Sequence, residues 1–147
     1  MVQVKFQRLS HGQDLPVPSF QTAGAAGMDI CSAESFLLGH GGTKSFATGF
    51  AVEVPEGYEL QVRSRSGLAA KHGIFVTNGP GTIDCDYRGE ILIILSSLGR
   101  QGHQIERGDR IAQLVLAPVV PDVQAVEVEA LSMNTMRGVD GFGSTGA

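Results

Sequence analysis

Apolar and polar side chains alternate with period two along much of the chain, while helical periodicity is scarce. Val2, Val4 and Phe6 alternate with Gln3, Lys5 and Gln7; Tyr58, Leu60 and Val62 alternate with Glu59, Gln61 and Arg63. Val126, Val128 and Ala130 alternate in the same way with Ala125, Glu127 and Glu129. Each pattern predicts a strand with one wet face, because successive side chains leave a strand on opposite sides. Ile91–Leu95 and Ile111–Leu116 are apolar enough to predict strands covered on both faces. Turn signals separate the runs: Pro55-Glu56-Gly57, Asn78-Gly79-Pro80-Gly81, Arg88-Gly89, Gly99-Arg100-Gln101-Gly102 and Arg107-Gly108-Asp109. Many short strands with frequent turns point to an all-β sandwich, jelly roll or small barrel. One short helix is predicted over Gly67–Gly73, with Ser66 as a possible N-cap and Gly73 as the stop. Residues 1–131 then form one β domain, followed at 132–147 by a Gly-rich arm without periodicity.

Composition narrows this picture. The 147 residues suit a single domain. A chain of that size buries roughly two-thirds of its unfolded surface, so its core needs no disulfide or metal staple. With 18% charged and 42% hydrophobic residues, the chain is neither disordered nor collagen-like. The formal net charge is −4, which gives no electrostatic footprint for nucleic acid. An anionic ligand must therefore be held by local Arg, backbone N–H groups or a metal. Cys31 and Cys85 form no metal-ligand spacing and read as buried free thiols of a reducing compartment. His11, His40, His72 and His103 are far apart in the chain and read as surface or loop residues. The N-terminus lacks signal or transit composition, and no apolar run nears the roughly 18 residues a spanning helix needs. A cytoplasmic location is expected, without stable nucleic-acid or membrane binding.

Two motifs in the tail are deceptive. Gly141-Phe142-Gly143-Ser144-Thr145-Gly146 fits the dinucleotide pattern GxGxxG, but that fingerprint needs a strand before it and a helix after it. Gly138 to Thr145 fails as a phosphate loop for the same lack of a helix, and has Ser144 where the Lys belongs. The local chemistry survives: glycine N–H groups can form an anion nest, Arg137 can fork onto phosphate oxygens, and Phe142 can stack on a base. These parts suit a lid over a phosphorylated ligand held elsewhere.

On the β framework, Arg65-Ser66-Gly67 lies at a strand-to-helix junction, where Ser66 is either a phosphate donor or only a cap. Asn78 to Gly89 predicts a hairpin with Ile83, Cys85 and Tyr87 on one face and Asp84 and Asp86 on the other. One carboxylate of that pair suits a general base while the other holds the turn by pairing with an Arg; the alternative is two surface carboxylates. Asn78 offers a donor and an acceptor together, as reading a pyrimidine edge requires. Asp29 follows the small residues Ala23–Gly27 and is either an outer-shell metal carboxylate or a strand-end Asp.

In order, AGAAGMDI, RSRSGLA, NGPGTIDCDYRGE, GDRIAQLV and RGVDGFGSTG resemble the five motifs of the trimeric deoxyuridine triphosphate nucleotidohydrolase (dUTPase) family, spanning Ala23 to Gly146. The resemblance implies a distorted β jelly roll in a threefold homotrimer, with each active site at a subunit interface and closed by another subunit's arm. It implies Mg²⁺-dependent hydrolysis of dUTP to dUMP and pyrophosphate, which limits uracil in DNA and supplies dUMP for thymidylate synthesis. By motif match, Asp84 resembles the residue that activates the attacking water. Asn78, with main-chain groups of Thr82 and Ile83, resembles the uracil reader. Tyr87 resembles the platform under deoxyribose that leaves no space for a 2′-OH. Arg65, Ser66, Gly67 and Gln113 are similar to phosphate-binding positions, and Asp29 to a carboxylate touching metal-bound water. Arg137 resembles the γ-phosphate clamp, Phe142 the uracil-stacking lid, and Gly143 and Ser144 lid phosphate donors. The chain departs from the family's habit at Met28, Ser64, Pro80 and Asp140, none of which removes a proposed catalytic group. A deoxycytidine triphosphate deaminase of the same fold and a nucleotide-binding regulatory trimer are the alternatives.

Overall fold

The structure is a computed structural model, and it describes residues 1–141. Ten strands and one α-helix follow in order: β1 (Lys5–Arg8), β2 (Met28–Cys31), β3 (Phe36–Leu38), β4 (Thr43–Glu53), β5 (Tyr58–Arg63), α1 (Ser66–His72), β6 (Ile74–Val76), β7 (Gly81–Ile83), β8 (Glu90–Ser97), β9 (His103–Ile105) and β10 (Arg110–Pro118). One 3-10 turn, Ser10–Gly12, follows β1. The strands form two four-stranded sheets, β1-β4-β8-β6 and β2-β10-β5-β7, with β3 and β9 as a small third sheet. All pairings are antiparallel.

The core lies between the two large sheets. Phe46, Ile91, Ile93 and Leu95 from the first meet Ile30, Leu60, Val62 and Leu114 from the second, all buried. Removing each such side chain from water is worth about 1.5–3 kcal/mol, which is the main force closing the sandwich. The alternation read at Leu60 and Val62 is this inward face, and Gln61 and Arg63 lie on the other. The predicted all-β jelly-roll-like class is therefore the class observed.

Several local expectations need correction. The first strand starts at Lys5, beyond Val2 and Val4. The Ala125–Ala130 alternation forms no strand, and Val126 and Val128 are exposed; alternation gives a segment two faces but supplies no partner edge to pair with. In β8 Ile91, Ile93, Leu95 and Ser97 are buried, while Leu92 is 52% exposed, so this chain covers one face of that strand. The predicted hairpin is a single short strand, β7, paired to β5 rather than to its own continuation. Beyond Ile83 the chain turns, with Tyr87 N–H donating to the Asp84 carbonyl (3.2 Å).

Helix α1 begins at Ser66, with Arg65 as N-cap and no side-chain capping bond, so Ser66 is not the cap. It stops where predicted: Gly73 takes the left-handed conformation (φ 64°) and returns its N–H to Ala69 and Leu68 carbonyls. Both thiols are free, but only Cys31 is buried; Cys85 is half-buried. Burial pushes the Cys31 thiol pKa up. His72 and His103 are not isolated, because docking α1 near β9 stacks their rings with centroids 3.8 Å apart.

Candidate functional site

Two clusters of the expected residues form, and they sit at opposite ends of one sheet. The first is centred on Asp29 in β2, buried although charged. Antiparallel register sets Asp29 opposite Gln113 of β10, so both side chains leave the same face. Gln113 Nε2 donates to Asp29 Oδ1 (3.1 Å), and Arg110 Nη1 donates to Oδ2 (3.0 Å). Arg65, in the strand-to-helix link after β5, brings Nε within 3.8 Å of Oδ1 and donates from Nη1 to the Arg110 carbonyl (2.6 Å).

A buried carboxylate needs such partners, since unpaired it would stay protonated or leave the site. In return it fixes the direction of two guanidinium groups that could otherwise sample many rotamers. Arg65 and Arg110 offset Asp29 and the neighbouring Asp109 and keep guanidinium N–H donors in this corner, with Ser66 and Gly67 exposed beside it. The arrangement suits a polyanion such as a phosphate chain. Arg110 and its partner Gln21 (3.3 Å) escaped the sequence reading. Arg110 stood within the same GDRIAQLV run, but only the pairing of β10 with β2 brings it onto Asp29.

The second cluster is the loop from Asn78 to Glu90. Thr82, Ile83, Asp84 and Tyr87, with Glu90, Ile91 and Leu92, line a cavity of about 200 Å³. Tyr87 Oη donates to the Glu90 carbonyl (2.8 Å), which pins the ring across the turn. The ring lies where a side chain at residue 89 would stand: a Cβ on Gly89 would come within 2.3 Å of Tyr87 Oη. Asn78 folds over Gly81, its Nδ2 3.2 Å from the point a Cβ there would occupy. Asp84 is exposed at the cavity rim, and among the described residues no hydrogen bond or ion pair takes up its carboxylate. The expected Arg partner for the neighbouring Asp86 does not form; Arg88 instead donates to the carbonyls of Cys85 (2.7 Å) and Tyr87 (2.8 Å).

Asp29 and the Asp84–Tyr87 turn do not meet within one chain, although the start of the loop at Gly79 lies beside Ser64, next to Arg65. Asp29 is on one edge strand and Ile83 on the other, with β10 and β5 between them. The rows also differ, since Gln113 pairs with Arg63 while Ile83 pairs with Leu60. Three interstrand steps and three residues along the strand separate them by roughly 17 Å. Arg137 lies at neither cluster and donates to the Asp140 (3.0 Å) and Gly141 (3.4 Å) carbonyls. Phe142, Gly143 and Ser144 lie outside the described residues.

The family model described as dUTPase matches residues 13–146. The chain is 54% identical over 146 residues to the deoxyuridine 5′-triphosphate nucleotidohydrolase of Zymomonas mobilis, covering 99% of this chain and 98% of that one. It is 54% identical over 144 residues to the protein of the same name from Beijerinckia indica, covering 95% of this chain and 89% of the relative. Among solved structures, a mutant dUTPase of Staphylococcus bacteriophage 80alpha with dUpNHpp superposes with a TM-score of 0.81 at 28% identity, over 99% of both chains. A mutant dUTPase from phage phi11 of S. aureus, described as revealing the coordination of a structural Mg(II) ion, gives 0.75 at 28% identity, over 86% of this chain and 98% of that one.

Proposed function

This chain belongs to the dUTPase family and hydrolyses dUTP to dUMP, and we propose that it does so at a site built from the Asp84–Tyr87 turn of one subunit and the Asp29–Arg65–Gln113 corner of another. The observation that carries this reading is the Asp84 carboxylate, unpartnered among the described residues, at the rim of a cavity whose wall is the pinned Tyr87 ring.

In the proposed mechanism, Asn78 and the main chain of Thr82 and Ile83 hold the uracil edge. Tyr87 packs against deoxyribose, and its fixed ring leaves a 2′-OH no room. Asp84 accepts a hydrogen bond from a water and takes its proton as the oxygen attacks the α-phosphorus. Arg65, Ser66, Gly67 and Gln113 hold the phosphate oxygens that gather charge as pyrophosphate departs. Positioning and charge stabilisation of this kind supply most of the acceleration in phosphoryl transfer, so no nucleophilic Ser or Cys is required. Arg137 clamps the γ-phosphate, Phe142 covers the base, and Gly143 and Ser144 donate to phosphate from an arm over residues 132–147.

The donor set fits magnesium only through water and phosphate. Among the described residues no three His, Cys, Asp or Glu side chains gather at a metal-sized site. Asp29 already receives Arg110 and Gln113, one on each oxygen, which leaves lone pairs for water rather than a vacant chelate. Asp29 would thus hold Mg²⁺ through its water shell; bound on the triphosphate, the ion supplies charge neutralisation. The roughly 17 Å between Asp29 and Ile83 supports sites shared between subunits, and membership of the dUTPase family supports a homotrimer as the assembly. A cytoplasmic location fits the described residues, none of whose helices is long and apolar enough to cross a membrane.

Hydrolysis in ¹⁸O-water tests the reaction. The label should enter dUMP, because the water oxygen joins the α-phosphorus. Label confined to pyrophosphate would mean attack at the β-phosphorus and would overturn the role of Asp84. In the same assay dCTP should release neither ammonia nor pyrophosphate at a comparable rate.

A further inference from the structure

Glu90 is tied to three separate parts of the fold. Pairing of β4 with β8 passes from Ala47–Leu92 to Ala51–Glu90, so β4 carries extra residues whose N–H groups lose their partners in the ladder. The Glu90 carboxylate replaces those partners: Oε1 accepts from Thr48 N–H (3.1 Å) and Gly49 N–H (2.8 Å). The same oxygen meets His11 Nε2 at 2.7 Å, reaching the 3-10 turn after β1. Meanwhile the Glu90 main-chain carbonyl is the acceptor that holds Tyr87 Oη. Burial opposes ionisation of Glu90, but the bonds from His11 and Gly49 outweigh it and hold its carboxyl below the usual range. The turn that carries His11 is itself seated backbone on backbone, with Leu9 N–H donating to the Gly49 carbonyl (2.9 Å).

We propose that His11 and Glu90 are positioning residues for sugar selection: their contact fixes the start of β8, and through the Glu90 carbonyl it fixes how closely the Tyr87 ring approaches the ribose. The inference rests on the reading of Tyr87 as the deoxyribose platform. A ring held by one hydrogen bond excludes a 2′-OH only as well as its anchor stays still. The anchor here is a strand end clamped by a carboxylate on the bulge of β4 and on His11. Loosening that clamp lets the ring recede and admits ribose, while Asp84 and the phosphate-binding corner are untouched.

The chain has two Tyr and no Trp, so ring position can be followed directly. In protein labelled with 3-fluorotyrosine, ¹⁹F resonances of Tyr87 and Tyr58 would be compared for wild type, His11→Ala, His11→Gln and Glu90→Gln, beside kcat/KM for dUTP and UTP. His11 is on the surface, so these variants should fold, and melting temperature verifies it. In His11→Ala the Tyr87 resonance should move while Tyr58 stays, and the preference for dUTP over UTP should fall about fivefold or more, as expected for losing one charged hydrogen bond. His11→Gln, which keeps a donor, should recover part of it. An unmoved Tyr87 resonance with unchanged preference would overturn the inference. A moved resonance with preference unchanged both there and in Tyr87→Ala would uphold the anchor and overturn the platform reading instead.

Discussion

At the scale of single residues, Asp84 and Asp14 are both exposed carboxylates, and their surroundings separate their roles. Asp84 has no partner among the described residues and faces a cavity, as a base that must be free to take a proton does. Asp84→Asn should cut turnover by about 10²–10⁴-fold while leaving binding of a non-hydrolysable dUTP analogue nearly intact; a full rate of pyrophosphate release would remove Asp84 from the chemistry. Asp14 is instead hydrogen-bonded by the Arg107 guanidinium, whose other N–H groups reach the carbonyls of His11 and Ala33. That hydrogen bond lowers the Asp14 pKa from 3.8 to about 2. A depressed carboxyl pKa contributes stability that is present above the unfolded value of 3.8 and is lost as pH falls toward 2. Chemical-unfolding midpoints should therefore drop across that window in wild type and drop less in Asp14→Asn. Both residues are plain Asp in the sequence, and neither its position nor its neighbours told which was paired. Arg107 lies far along the chain from Asp14, and only the fold brings them together.

At the scale of elements, the strands legible in advance were those whose alternation reflects a buried face inside this chain, such as Tyr58–Arg63. The misread segments depended on a partner that sequence does not name. Ile83 to Tyr87 was expected to continue as a strand, but the chain turns after Ile83 and leaves Glu59 and Tyr58 of β5 without a β7 partner. Val126 and Val128 have the pattern of a strand but lie in none among the described residues. The docking of the Ser10–Gly12 turn on β4 was equally invisible, since it depends on two glycines meeting. Gly49 holds φ 76°, and a Cβ on Gly12 would come within 2.4 Å of the Gly49 carbonyl oxygen. Backbone cannot yield as a flexible side chain does, so Gly12→Ala should destabilise the fold by about 1–3 kcal/mol through overpacking. The urea midpoint reads this, and an unchanged midpoint would show that the close approach is not maintained.

At the scale of the whole molecule, Asp29 and Ile83 stand on opposite edges of one sheet, roughly 17 Å apart, so one chain does not bring the Asp29 corner against the Asp84 turn. Association of copies resolves this if each site takes one corner and one turn from different chains. Mixing and refolding Asp84→Asn with Arg65→Ala, each inactive alone, should then restore measurable dUTP hydrolysis, because some sites receive an intact half from each variant. No recovery, with mixed oligomers demonstrated, would place both halves in one chain. The sequence by itself determined the class of fold and the chemical inventory: alternation records which side of a strand is dry, and the order of the motifs identifies the family. Pairing was left to tertiary structure. Only β2 lying against β10 makes Asp29 the partner of Arg110 and Gln113, and only the bulge in β4, with the turn docked on it, gives the Glu90 carboxylate its contacts to Thr48, Gly49 and His11. Side-chain type is a local property, whereas hydrogen-bond partnership across a sheet depends on register between segments distant in the chain, which the packing of the whole core selects.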